Sequence, residues 1–199
     1  MWENAPMDFR EIVLRNRSYR RFEQSVPVGE QTLRELVDLA RQVPSAANRQ
    51  PLRYAASCSR QTNGRIFATL AWAAYLKDWP GPAEGERPSA YIIMLAEDPK
   101  GSWVQADAGI AAQTILLGAT ARGFGGCMLA NIRKEELAAV LELPASLSIL
   151  LVIALGKPLE EVVLEELGAG RSIEYYRTPD GVHHVPKRSL GELLLKSWS

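Results

Sequence analysis

Two short basic clusters concentrate the chemistry of this chain: Arg17, Ser18 and Arg20 near its start, Lys187 and Arg188 near its end. Guanidinium forks and ammonium groups are what a phosphate dianion requires, and a serine hydroxyl can donate beside them. Solvated surface charge is the competing reading of each cluster taken singly. Between them lies Pro44-Ser45-Ala46-Ala47-Asn48-Arg49-Gln50-Pro51. Its small side chains would let backbone approach a ligand, and Asn48 and Gln50 each donate and accept. The plainer reading is a turn that ends a helix.

Other familiar chemistries lack raw material. Gly123, Gly125 and Gly126 would need a further glycine where Met128 stands, so a GxGxxG dinucleotide loop is not supported. No phosphate-binding GxxxxGK[ST] and no GxSxG nucleophile motif occurs. The histidines, His183 and His184, are adjacent; on a strand they point to opposite faces and cannot chelate one metal together. An enzyme so short of acid–base groups would leave the chemistry to a cofactor.

The frame around these residues is ordinary globular sequence. At 199 residues, one sizeable domain fits and a second would be cramped. Lys+Arg and Asp+Glu are 23 each, which argues against nucleic acid as the main partner and removes self-repulsion between copies. Cys58 and Cys127 are too few to staple the domain and read as buried free thiols in a reducing cytosol. The opening Met1–Pro6 has neither basic nor apolar signal character, and the apolar stretch Leu147–Leu155 is far short of the ~20 residues of a membrane helix. The expectation is a cytoplasmic protein.

Periodicity predicts helices around Phe9–Asn16 and over Gln31–Gln42, Gln61–Lys77, Asp107–Arg122 and Lys134–Glu142. The fourth is apolar all round, as a buried central helix is, and Gly123 suits its C-cap. Strands are expected at Arg53–Ser59, Tyr91–Ala96 and Ser148–Leu155. Beyond Pro158 the periodicity weakens to a hairpin signal, Glu174–Thr178 with Val182–Val185, and a capping box at Ser189 and Glu192. Interleaved strands and helices imply a layered sheet, and so long a tail implies a functional segment or one that embraces a partner.

Taken in order, the motifs resemble the nitroreductase family of FMN-dependent oxidoreductases, in its short form and over essentially the whole chain. The resemblance rests on Arg17-Ser18-Tyr19-Arg20-Arg21-Phe22, on Pro44–Pro51, on Asp107–Gln113, on Gly123-Phe124-Gly125-Gly126-Cys127 and on Leu155-Gly156-Lys157-Pro158. It implies an α+β, three-layer α/β/α sandwich with a central mixed sheet. One domain would span 1–199, with a C-terminal arm over 159–199 wrapping the partner of a homodimer.

It further implies FMN at the subunit interface. Arg17, Ser18 and Arg20 would hold its ribityl phosphate and pyrimidine side, and Lys187 and Arg188 would clamp the phosphate. Ser45 and Asn48, helped by Gln50, would come from the partner. Met128, Leu129 and Ala130 would lie over the flavin, with a backbone N–H near N5. Two departures stand out: Asn16 where the family often has an arginine, and Leu52 in place of a tryptophan. The aromatic load moves to Trp72, Tyr75 and Trp79, which would either roof the substrate side or simply pack. The implied activity is hydride transfer from NAD(P)H to the flavin and on to nitroaromatic, quinone or similar acceptors, by ping-pong turnover. Alternatives keep the fold and FMN but change the reaction (dehalogenation, flavin breakdown, dehydrogenation) or make the protein a non-enzymatic flavin module.

Overall fold

The computed structural model describes residues 8–76 and 78–198. They fall into two compact units, one of 8–72 with 81–159, the other of 73–80 (less residue 77) with 160–198.

The first unit runs α1 (Phe9–Arg15), β1 (Phe22–Glu23), α2 (Glu30–Arg41), β2 (Leu52–Ser57), α3 (Arg60–Ala68), β3 (Ala90–Ala96), α4 (Val104–Ala121), β4 (Gly125–Leu129), α5 (Lys134–Val140) and β5 (Ser148–Pro158). Its sheet has the order β1-β5-β3-β2, with β4 also paired to β5. The pairings between named strands are antiparallel, and a parallel bridge between Ser18 and Gly126 makes the sheet mixed. All of β3, Ala-Tyr-Ile-Ile-Met-Leu-Ala, is buried, as expected of a strand covered on both faces.

One face carries Ile92, Met94, Ile153 and Leu155 into a core with Leu33 and Leu36 of α2 and Ala111, Ala112 and Ile115 of α4. Small residues let the helices close in. A Cβ on Gly118 would stand 2.7 Å from Leu39 Cδ1, so its absence sets how near α2 and α4 approach. On the other face, Tyr91 shares a cavity lining with Asn63 and Phe67 of α3.

The second unit has a mixed three-stranded sheet of its own. In it β6 (Val162–Glu166) runs parallel to β8 (His183–Lys187), and β7 (Tyr176–Arg177) antiparallel to β8; α6 (Leu190–Leu193) follows. The expected hairpin is present, closed by Thr178 and Val182 around Gly181 at φ 91°. The capping box at Ser189 and Glu192 is also formed. β6 had no legible alternation; its long-range parallel partner creates it.

The helix expected over Gln61–Lys77 ends at Ala68, and Lys77 lies outside the described residues. Beyond Ala68 the backbone pairs elsewhere: Leu70 bridges Ile132, Ala71 N–H donates to Asn131 O at 3.0 Å, and Arg133 N–H donates to Thr69 O at 2.9 Å. Chain spent on that ladder cannot continue a helix. The cysteine expectation needs a correction too, since Cys127 is buried but Cys58 is exposed. No helix of the described residues is long and apolar enough to cross a membrane.

Candidate functional site

The turn between α1 and β1 holds the first basic cluster against the sheet. Ser18 bridges Gly126, and Tyr19 N–H donates to Gly126 O at 3.1 Å. A Cβ at position 126 would fall 2.2 Å from Ala154 O, so its absence lets β4 lie close on β5. Ring atoms of Tyr19 occupy the equivalent space at Gly125. Gly125 and Gly126, which belong to no dinucleotide loop in the sequence, are thus part of strand β4, and the bareness of Gly125 admits the basic turn.

The four arginines of this stretch divide by partner. Arg15 pairs with Glu11 at 3.4 Å and Arg21 with Glu86, its Nε donating at 2.8 Å. Arg17 and Arg20 instead donate to main-chain oxygens, Val13 O at 2.8 Å and Ser18 O at 3.2 Å. Arg17 is half-buried, and its Nε is a buried donor that meets no hydrogen-bond partner. Desolvation lowers its pKa, with Tyr19 acting weakly the other way; an arginine so placed remains a cation. A half-buried cation with an unmet donor has the chemistry to accept an anion. The preceding Asn16, where a second arginine was considered, is buried with its N–H on Ile12 O at 2.9 Å.

Along β4 from the bridge come Met128, 40% exposed, then buried Leu129 and exposed Ala130. The structure therefore puts Arg17, Ser18 and Arg20 on the turn next to the strand that leads into Met128–Ala130.

Ser45, Asn48 and Gln50 form a second group on the α2–β2 connection. Ala47, Asn48 and Gln50 all have positive φ, 50°, 53° and 48°. Non-glycine residues held there cost on the order of 1–3 kcal/mol each. Local bonds enforce the shape. Gln50 N–H donates to Ser45 Oγ at 3.1 Å, and Gln50 Nε2 to Asn48 Oδ1 at 3.2 Å. Ala46 N–H donates to Asp107 Oδ1 at 3.0 Å. Asp107 is 5% exposed and escaped the sequence reading; an acid opening an otherwise apolar helix was its signal. The two groups reach α4 at different heights, the loop at Asp107 and the β4 glycine beside Leu116. Nine residues of helix between them is roughly 14 Å.

The remaining sequence candidates stand on other segments. Lys187 ends β8 and Arg188 lies 3.8 Å from Glu192, both in the second unit. The helix expected over Gln61–Lys77 ends at Ala68, before Trp72 and Tyr75. Trp72 is buried in the first unit, 5.6 Å from the Phe67 ring and tight under Gly81, which supports the packing reading. In the second unit Tyr75 lies 4.9 Å from Tyr175, and Arg177 stacks over Trp79 at 4.7 Å.

Known proteins match this arrangement. A profile of the nitroreductase family matches residues 13–157. An NADH dehydrogenase of Thermus thermophilus is 25% identical, over 78% of this chain and 89% of its own. A nitroreductase family protein of Clostridium novyi superposes with a TM-score of 0.64 at 25% identity, over 76% of this chain and 86% of that one. An FMN-dependent nitroreductase of Clostridium difficile shares the fold, with a TM-score of 0.60 at 21% identity over 75% and 87%. The basic turn, the strained loop, β4 and the central helix all fall inside the matched stretch, and the chain belongs to the nitroreductase family.

Proposed function

We propose that the protein is an FMN-dependent oxidoreductase that binds the FMN phosphate at the basic turn beside β4. The observation that carries this is Arg17: a partly desolvated guanidinium with a buried Nε that no described residue meets. A phosphate dianion is the ligand for which that donor, the exposed Ser18 hydroxyl and the Arg20 guanidinium form a fitting set. When bound, the flavin supplies the redox chemistry, receiving hydride from NADH or NADPH and passing electrons to a nitroaromatic, quinone or similar acceptor in ping-pong fashion.

The chain's own part is to bind, orient and shape. Gly125 leaves room for the turn on β4, and Met128 and Ala130, exposed next along the chain, would offer the surface for the isoalloxazine, with a backbone N–H near N5. Ser45, Asn48 and Gln50 sit on a loop whose strain is typical of ligand clamps. Their anchor on α4, well away from the basic turn, supports their serving the flavin of a second copy in a homodimer. The assignment of Lys187 and Arg188 to the phosphate rests on the sequence resemblance alone.

The test is an absorbance spectrum of the purified protein, then anaerobic addition of NADH or NADPH. Flavin bands that bleach within seconds are the expected result. A flavin that stays oxidised favours another reaction or a non-enzymatic role, and a colourless protein that FMN cannot reconstitute removes the site. Sedimentation with and without FMN checks the dimer.

A further inference from the structure

A cavity of about 550 Å³ opens in the first unit between α3, the start of β3 and the segment that precedes it. Its size is that of a small-molecule site. None of the residues assigned above to the flavin lines it, so it stands apart from that reading.

Its lining gathers unmet polar groups. Asn63 Oδ1, Arg87 Nε, Ser89 Oγ and Tyr91 Oη are all buried and have no hydrogen-bond partner among the described residues. Buried polar groups are nearly always paired, so four such atoms around one cavity call for an occupant. Two of the residues are deeply held: Tyr91 is fully buried and Asn63 is 7% exposed, its amide donating to Ser89 O at 2.8 Å. Burial pushes the Tyr91 phenol far up, and the neighbouring Cys127 thiol adds to this, so the hydroxyl stays protonated and able to donate.

Charge and shape narrow the occupant. Two guanidiniums, Arg60 and Arg87, bracket a single carboxylate, Glu84, at 3.3 and 2.9 Å. The lining is thus left with one net positive charge. Three of the four unmet groups can donate, and one of them, Arg87 Nε, can only donate. The Arg87 guanidinium carbon also lies over the Phe67 ring, 4.3 Å from its centre, and the ring itself gives the cavity lining an aromatic element.

We propose that this cavity is a second binding site, for a small aromatic carboxylate. Its anion would take the donors of Arg87, Ser89 and Tyr91, and its ring would lie along Phe67. Cys58 is exposed and lines the same cavity, so an occupant must shield its thiol.

That thiol is the reporter. The flavin-saturated protein is alkylated with iodoacetamide, and the rate at Cys58 is followed by mass spectrometry while benzoate is titrated. Benzoate is expected to slow alkylation saturably, and benzyl alcohol at equal concentration is not. Ser89→Ala and Arg87→Gln, each checked for unchanged melting, should raise the half-protecting benzoate concentration by about tenfold, the effect of one lost charge-assisted hydrogen bond. Absence of protection up to about 10 mM benzoate, a weak limit for a specific site, overturns the proposal. So does protection that neither variant weakens, or that benzyl alcohol matches.

Discussion

The two basic clusters differ in what surrounds them. Arg17 and Ser18 sit on a turn stitched to β4, where a missing Cβ at Gly125 leaves room for the Tyr19 ring and burial leaves a guanidinium nitrogen unmet by any described residue. Lys187 and Arg188 are exposed, close a three-stranded sheet, and have an acid within reach at Glu192. Their neighbours Leu190, Leu193 and Leu195 are also 65–86% exposed. Equal charge in sequence therefore becomes unequal chemistry. A cation with its solvent stripped away holds an anion strongly, whereas an exposed one is screened by water and salt.

The largest effect should come from crowding β4 against β5. Gly126→Val drives a side chain into Ala154 O and Leu116, and should cost about 3 kcal/mol or more, read as a lowered Tm in thermal denaturation. Next is Arg17→Met, which should weaken FMN binding by about tenfold to a hundredfold in a fluorescence titration while leaving Tm unchanged or raised. Lys187→Met is its counterpart; if the comparison holds, the loss is only a few-fold and vanishes at high salt. Equal losses from the two would erase the distinction drawn here.

Asp107→Ala probes the strained loop in the same way, since it strands the Ala46 N–H. A cost of about 2 kcal/mol in denaturant unfolding is expected. The smallest effect belongs to the second unit. Glu165 accepts from His184 Nδ1 at 2.6 Å and from Tyr176 Oη at 3.1 Å, and the His184 bond is the main cause holding its carboxyl below the usual range. The stabilisation is then present above the ordinary carboxylate pKa and lost as pH falls through the lowered one. Amide exchange in β6 and β8 should accelerate on that acid side, and Glu165→Gln should remove the pH dependence.

Much of this was legible without coordinates, and for local reasons. β3 and α4 announce themselves because an unbroken apolar run of strand or helix length has nowhere to go but the interior. The capping box at Ser189 and the positive φ of Gly123 are satisfied within a few residues of chain. The order of the basic turn, the Pro44–Pro51 loop and the central helix was enough to reach the family.

Tertiary structure decided what depends on distant partners. Gly125–Leu129 is a strand only because β5 supplies its ladder, and α3 stops at Ala68 because Asn131–Arg133 claim the next backbone groups. Asp107 acquires its task only when Ala46 arrives beside it, and Trp72 meets Phe67 and Gly81 only once the chain has folded back. Residue types and spacing determined which groups were available for phosphate chemistry. Which of those groups lost its water was settled by folding, because desolvation is a property of neighbours far apart in sequence.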